Sequence, residues 1–225
     1  LFLKKIYHEL RLDELCQSLS ETSKLEYDLN AILSSLLYAR ILYPSSKRSS
    51  FEASQKFMEH NYVDLHQVYR ALDVLAKHNA TIQAHRYQHS QAIVERNAQV
   101  LYYDCTNFFF EIEEAEGLKQ YGKSKEHRPN PIVQMGLFLD GNGIPLAFDL
   151  TPGNTNEQKT LLPLEKRIMR DFELSKLVVC TDAGLSSKTN RSFNSFANRA
   201  YVTVQSLKKL KQHLRDWALD PQAWH

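Results

Sequence analysis

Two acidic residues sit in apolar, strand-like runs: Asp104 in Val100-Leu101-Tyr102-Tyr103-Asp104-Cys105-Thr106-Asn107-Phe108, and Asp182 in Leu177-Val178-Val179-Cys180-Thr181-Asp182-Ala183-Gly184. A carboxylate inside such a run calls for a hydrogen-bond donor, a cationic partner or a metal, because burying it ionised and unpaired costs as much as a small domain has to spare. On neighbouring strands the two would repel, each raising the other's proton affinity unless a cation lay between them. Hard oxygen donors with open coordination positions suit Mg²⁺ or Mn²⁺. Two such ions, about 3.5–4 Å apart, activate a water or a hydroxyl and stabilise the leaving oxygen of an in-line displacement at phosphorus. The chemistry open to this pair is metal-assisted phosphoryl transfer. Taken singly, each Asp also reads as a strand-end hydrogen-bonding or helix-capping residue.

Between them runs Tyr121-Gly122-Lys123-Ser124-Lys125-Glu126-His127-Arg128-Pro129-Asn130-Pro131. Lys123, Lys125 and Arg128 with an aromatic, Tyr121, on a Gly/Pro loop suit contact with a phosphate backbone. A solvated charged loop is the plainer reading of the same residues. Two other motifs lead nowhere. Residues 117–124 fit the P-loop pattern letter for letter, but a P-loop must open a helix, and Pro129 and Pro131 follow at once. No nucleotide cofactor is expected. His85 and His89 have helical zinc-ligand spacing, but Arg86 stands where a metalloprotease has its general-base Glu and no third ligand is apparent.

The elements that must carry these residues change character near residue 98. Up to there the apolar spacing is helical: Leu10, Leu12, Leu15 and Leu19 on one face, and Leu29, Ile32, Leu33, Leu36 and Leu37 on another. Pro44 ends the second helix, residues 45–50 read as a basic polar link, Phe51 to His60 as a short helix, and Asp64 as the cap of a helix with Leu65, Val68, Leu72 and Leu75 inward. Thr81 to Arg96 reads as a last helix, polar on most faces. From Val100 the period is that of strands: Val100–Phe110, Ile132–Leu139, then Asp140-Gly141-Asn142-Gly143 as a hairpin turn into Ile144–Leu150. A crossover helix from Glu157 to about Phe172, a doubly buried strand Leu177–Thr181, a helix Ser187–Asn198 and a strand Tyr201–Gln205 complete a mixed sheet with flanking helices. The division expected is a helical region over 1–98, a sheet domain over 99–206 and a basic amphipathic tail over 207–225.

Bulk properties bound the rest. The chain has 225 residues, 43% hydrophobic and 24% charged, which is ordinary for a globular protein. A net charge of +2 leaves any nucleic-acid case to local patches. The longest apolar stretch, Leu29 to Tyr43, is too short and too polar to span a membrane. Cys16, Cys105 and Cys180, odd in number and far apart, suit reduced thiols in a cytosolic protein.

Taken in order, Tyr103-Asp104-Cys105-Thr106, the Tyr121-Gly122-Lys123-Ser124-Lys125 loop with Arg128-Pro129, Gln134-Met135-Gly136-Leu137 with Gly143-Ile144-Pro145, Thr151-Pro152-Gly153-Asn154-Thr155-Asn156 and Thr181-Asp182-Ala183-Gly184 resemble bacterial insertion-sequence DDE transposases of the insertion-sequence-four-like superfamily. The resemblance covers about residues 100 to 206. It implies an RNase-H-like catalytic domain in which an Asp on the first strand, an Asp on the fourth and a Glu on a later helix hold two Mg²⁺ (or Mn²⁺) ions. Asp104 and Asp182 match the first two. It also implies a bacterial, cytoplasmic protein working as a homodimer on double-stranded DNA, both the terminal repeats of its element and the target. The sequence departs from the pattern in having no Glu after Glu173. The third acid is absent, and the tail resembles the start of the β-rich insertion that precedes it. The expectation is a truncated, inactive fragment of a cutting-and-joining enzyme; a non-catalytic DNA-binding or oligomerising remnant is the alternative.

Overall fold

The computed structural model describes residues 2–57 and 63–223, in two compact units, Leu1–Glu95 and Arg96–His225. The first is all helical: α1 (Phe2–Glu9), α2 (Leu12–Ser23), α3 (Leu29–Leu42), α4 (Lys47–Ser54), α5 (Leu65–Lys77) and α6 (Asn79–Ser90). Its core joins Leu12, Leu15 and Leu19 of α2 to Leu29 and Ile32 of α3 and Val68 of α5. Asp28 caps α3, its Oδ1 accepting from the Ala31 amide at 2.9 Å. At the start of α5 the Gln67 side chain accepts from the Asp64 amide at 2.8 Å, half of a capping box.

Three expectations change here. Residues 45–50 are not a plain link: Ser46 accepts from the Ser49 amide at 3.1 Å and so starts α4 inside them. The helix expected over Phe51–His60 ends at Ser54, and residues 58–60 of that range lie outside the described residues. Helix α6 stops at Ser90, short of Arg96, which belongs to the second unit and is held at the turn over residues 140–145. Its Nε donates to Asp140 Oδ2 at 2.5 Å, with the two side chains 3% and 0% exposed.

The second unit holds five strands, β1 (Val100–Phe109), β2 (Ile132–Asp140), β3 (Pro145–Pro152), β4 (Leu177–Thr181) and β5 (Arg199–Thr203), in the order β3-β2-β1-β4-β5. The β1–β2 and β2–β3 pairs are antiparallel; β1–β4 and β4–β5 are parallel. With α7 (Leu161–Asp171) crossing from β3 to β4 and α8 (Lys188–Asn194) from β4 to β5, this is the RNase-H-like mixed sheet with flanking helices, preceded by an all-α region. The turn between β2 and β3 is built as its residues suggest. Asp140 Oδ1 accepts from the Asn142 and Ile144 amides at 3.0 and 2.9 Å, and Gly143 takes a φ of +77° that a side chain would resist.

The crossover helix is interrupted rather than continuous. Asn156 caps a single 3₁₀ turn over Glu157–Lys159. Thr160 then breaks the run because its hydroxyl donates to the Glu157 carbonyl at 2.7 Å and meets the Tyr103 hydroxyl at 2.6 Å. Strand β4 is buried on one face only: Leu177 and Val179 are inside, whereas Val178 and Cys180 are half-buried on the open side. Helix α8 ends at Asn194, four residues early, where Ser195 turns its hydroxyl onto the Arg191 carbonyl and Ala197 adopts a φ of 58°. In the tail, α9 (Gln212–Leu219) has no buried residue. No helix among the described residues is long and apolar enough to cross a membrane.

Candidate active site

Strand β1 sets the site by strict alternation. Leu101, Tyr103, Cys105 and Asn107 are buried on the helix-covered face, and Tyr102, Asp104 and Phe108 are exposed on the other. The covered face is locked: Tyr103 OH lies 2.6 Å from Thr160 Oγ1, and Cys105 Sγ 3.3 Å from the same oxygen. Gly136, opposite Cys105 in β2, leaves room for the Tyr103 ring, which a Cβ there would strike. Burial raises the proton affinity of both the Tyr103 phenol and the Cys105 thiol, so neither is a ready nucleophile. The covered face is scaffold, and Asp104 points away from it.

The parallel register pairs Tyr103 with Thr181 on the covered face. Asp104 and Asp182 follow next on adjacent strands, and both line one cleft of about 430 Å³ with Tyr102, Thr106, Leu137 and Leu139. The structure thus brings the two acids together, but not as buried charges. Asp104 has a side chain 76% exposed, with Lys125 Nζ 3.8 Å away and the Cys105 amide donating to its Oδ1 at 2.8 Å. The expectation that it needs rescue from an apolar interior is therefore corrected, because the face it occupies is open to solvent. Asp182 Oδ1 accepts from the Leu185 amide at 3.1 Å, capping the turn Ala183–Leu185. Capping and site membership coexist in this residue. No hydrogen bond from the described residues reaches the second carboxylate oxygen of either Asp.

The four candidate DNA contacts separate. Lys125 belongs to the acid pair: besides Asp104, its Nζ donates to the Cys105 carbonyl. Lys123 lines a second cavity with Gln134 and Gly184. Arg128 stacks its guanidinium 5.0 Å from the Phe109 ring centroid and lies 4.0 Å from Glu126. Tyr121 is 52% exposed and donates to the Glu113 carbonyl. The loop that carries them is fixed by Asn107, whose carboxamide donates to the Lys123 carbonyl at 3.3 Å and accepts from the Lys125 amide at 3.1 Å. Ser124, 6% exposed, accepts from the Glu126 and Arg128 amides. Residues 117–124 open no helix, consistent with rejecting a P-loop, and His85 points Nε2 at the Leu10 and Arg11 carbonyls rather than at a metal.

Asn107 and Gln134 escaped notice in the sequence although the signal was the one that singled out Asp104: a polar residue inside an apolar strand. Glu165 is a third case, 0% exposed within the apolar side of α7. As metal donors, Asp104 and Asp182 fit a magnesium-type ion in kind, since such ions are commonly held by one or two carboxylates and completed by water and substrate phosphate. Among the described residues no group of three or more His, Cys, Asp or Glu side chains closes a full ligand set.

No family model and no curated protein matches this sequence. Solved structures similar to it include the Mos1 transposase paired-end complex with left transposon end (TM-score 0.32, 14% identity, 86% of this chain and 58% of that one). The pre-cleavage Mos1 transpososome (TM-score 0.32, 15%, 88% and 62%) and the piggyBac transposase synaptic complex with hairpin DNA (TM-score 0.40, 11%, 82% and 43%) are others. Each is matched over less than two thirds of its own length, and likenesses this slight bear on neither activity nor partners.

Proposed function

We propose that this chain carries two thirds of the carboxylate set of a DDE-type DNA transposase, an enzyme that cuts and joins double-stranded DNA at the ends of a mobile element. The observation that carries the reading is the pairing of Asp104 and Asp182: the β1–β4 register ends at Tyr103–Thr181, and both acids then open on one cleft. Sequence motifs in family order support it, as does the basic loop whose Lys125 reaches Asp104. When bound, divalent Mg²⁺ or Mn²⁺ supplies Lewis acidity for displacement at phosphorus. The chain's own residues do the positioning: the Tyr103–Thr160 lock aims Asp104, the Ala183–Leu185 turn aims Asp182, and Lys123, Lys125 and Arg128 hold a phosphate backbone.

With two acids the site binds metal and does not cleave, since strand scission requires the ligand geometry that the third acid of the family completes. The division into a helical region, a sheet domain and a tail, the homodimer on paired DNA ends and a bacterial cytoplasmic setting belong to the same proposal. Calorimetric titration with Mn²⁺ tests it. Asp182→Asn removes one charged ligand and is expected to weaken binding at least tenfold while leaving the circular dichroism spectrum unchanged. Equal affinity in the variant would sink the metal site, and Mg²⁺-dependent cutting of terminal-repeat DNA by the unaltered chain would sink the claim of inactivity.

A further inference from the structure

Two tyrosines adjoin on β1 and have opposite surroundings. Tyr103 is 3% exposed, its ring centroid 4.7 Å from that of Phe138 and its hydroxyl against Thr160. Tyr102 is 47% exposed, and among the described residues no ring stacks on it and no hydrogen bond reaches its hydroxyl. It is not an edge residue. It stands mid-sheet on the open face, between its cross-strand partners Leu139 on β2 and Cys180 on β4, and all three line the cleft of the acid pair. Asp104 follows two residues along the same face, about 7 Å away at the rise of a strand. The floor beside the carboxylates is thus apolar and aromatic, with Leu137 completing it.

The neighbours of this floor decide what covers it. A protein segment laid over Tyr102 would also cover Asp104 and Asp182, both exposed, and burying carboxylates without cationic partners is costly. Lys125, 3.8 Å from Asp104, serves only one of them. A phosphodiester at the acids would still leave the Tyr102 ring in water. A nucleotide answers both needs: its phosphate belongs at the acid pair, and its base, a flat ring within reach of that phosphate, covers an aromatic side chain as in proteins that bind single strands. A base inside a duplex has both faces stacked already, so the base taken here is unpaired. We propose that Tyr102 is the stacking platform for one unpaired base of the strand whose phosphodiester lies at Asp104 and Asp182, so that the site engages a frayed or single-stranded end. The proposal rests on the phosphoryl-transfer reading for the place of the phosphate, while the stacking stands on Tyr102 and its apolar neighbours.

The test uses the full chain and two five-nucleotide single strands with the same phosphates, one of deoxyadenosines and one abasic throughout, titrated with Mn²⁺ and again with a chelator. The bases are expected to improve affinity roughly fivefold to a hundredfold, the range for one base on an aromatic ring, and to move the Tyr102 ring-proton resonances upfield. Mn²⁺ is expected to tighten both strands alike. Tyr102→Phe should keep the gain, and Tyr102→Val, which removes the ring but favours a strand, should erase it. Equal binding of the two strands by the unaltered chain, a comparison that needs no variant to fold, overturns the inference, as does a gain that survives in Tyr102→Val. A Tyr102 ring shift that follows protein concentration instead of the strand would give the face to a second copy and also overturn it. Loss of the base gain with Mn²⁺ tightening intact removes the platform alone, and a base gain that persists while Mn²⁺ changes nothing keeps the platform and removes the metal reading.

Discussion

Glu165→Gln is expected to make the protein more stable at pH 8 by about 3 kcal/mol and to leave its stability near pH 4 almost unchanged. Glu165 is 0% exposed on α7, and burial, partly offset by a hydrogen bond from Asn194 and by the Arg199 charge, raises its pKa from 4.5 to about 7. Asn194 Nδ2 donates to Glu165 Oε2 at 3.0 Å, while Glu165 Oε1 and Asn194 Oδ1 are both buried without partners among the described residues. A carboxyl proton supplies the donor that those two oxygens lack. The native state thus holds its proton to about pH 7, whereas the unfolded chain gives it up near the ordinary glutamate value. Between those limits the native state binds more protons than the unfolded state, so stability falls as pH rises. A glutamine carries the donor permanently and removes the slope. Urea unfolding at pH 4, 6 and 8 reads this directly, and a difference between variant and parent that did not grow with pH would refute it.

The effect reaches the site because Glu165 and Asn194 tie α7 to α8. Helix α8 in turn supports the Asp182 turn: Asn190 Nδ2 donates to the Leu185 and Gln158 carbonyls at 2.8 and 3.0 Å. The buried Glu165–Asn194 pair therefore couples the helices beneath the sheet to the loop that aims an acid above it.

Much of this was legible in the sequence, for identifiable reasons. Period-two alternation around Asp104, the Asp-Gly-Asn-Gly turn and the helical spacing of α2, α3 and α5 are local patterns, and they survive folding because the core they feed is built from the same residues. The pairing of Asp104 with Asp182 was legible one level higher, since a crossover between parallel strands leaves few neighbours to choose from. What could not be read was exposure. An Asp in an apolar strand looks buried until the helices are known to cover only one face, and the same ambiguity made β4 look doubly buried. Nor could the breaks at Thr160 and Asn194 be seen, because each depends on a partner distant in sequence or on a backbone turn: Tyr103 for the first, the left-handed Ala197 for the second. Gln134 and Glu165 carried a signal, a polar residue on an apolar face, but their partners are what give it meaning.

The larger loss is expected at Gly153, which holds the basic loop to the sheet. Gln120 and Ile132 exchange both backbone hydrogen bonds, at 3.0 and 2.9 Å, and so pin the segment leading into Tyr121 and Lys123 to the start of β2. Gly153 sits beneath this bridge, and a Cβ there would strike the carbonyl oxygens of both residues. Its neighbour in the packing, Gly122, is pressed onto the Gly153 carbonyl from the loop side. These obstacles are backbone, which cannot swing aside as a side-chain tip does. Gly153→Ala must therefore open the bridge, with an overpacking cost of about 3 kcal/mol or more. Opening it also releases Asn107 from the Lys123 and Lys125 backbone and withdraws Lys125 from Asp104. The variant should show fast hydrogen exchange at the Gln120 and Ile132 amides and weaker single-strand binding with a shallower salt dependence, as expected when fewer phosphates are neutralised. Metal binding by Asp104 and Asp182 should persist, since β1 and β4 pair on the other side of β1 from β2. Unchanged exchange at Gln120 with unchanged stability would show that the loop is held by something other than this glycine pair.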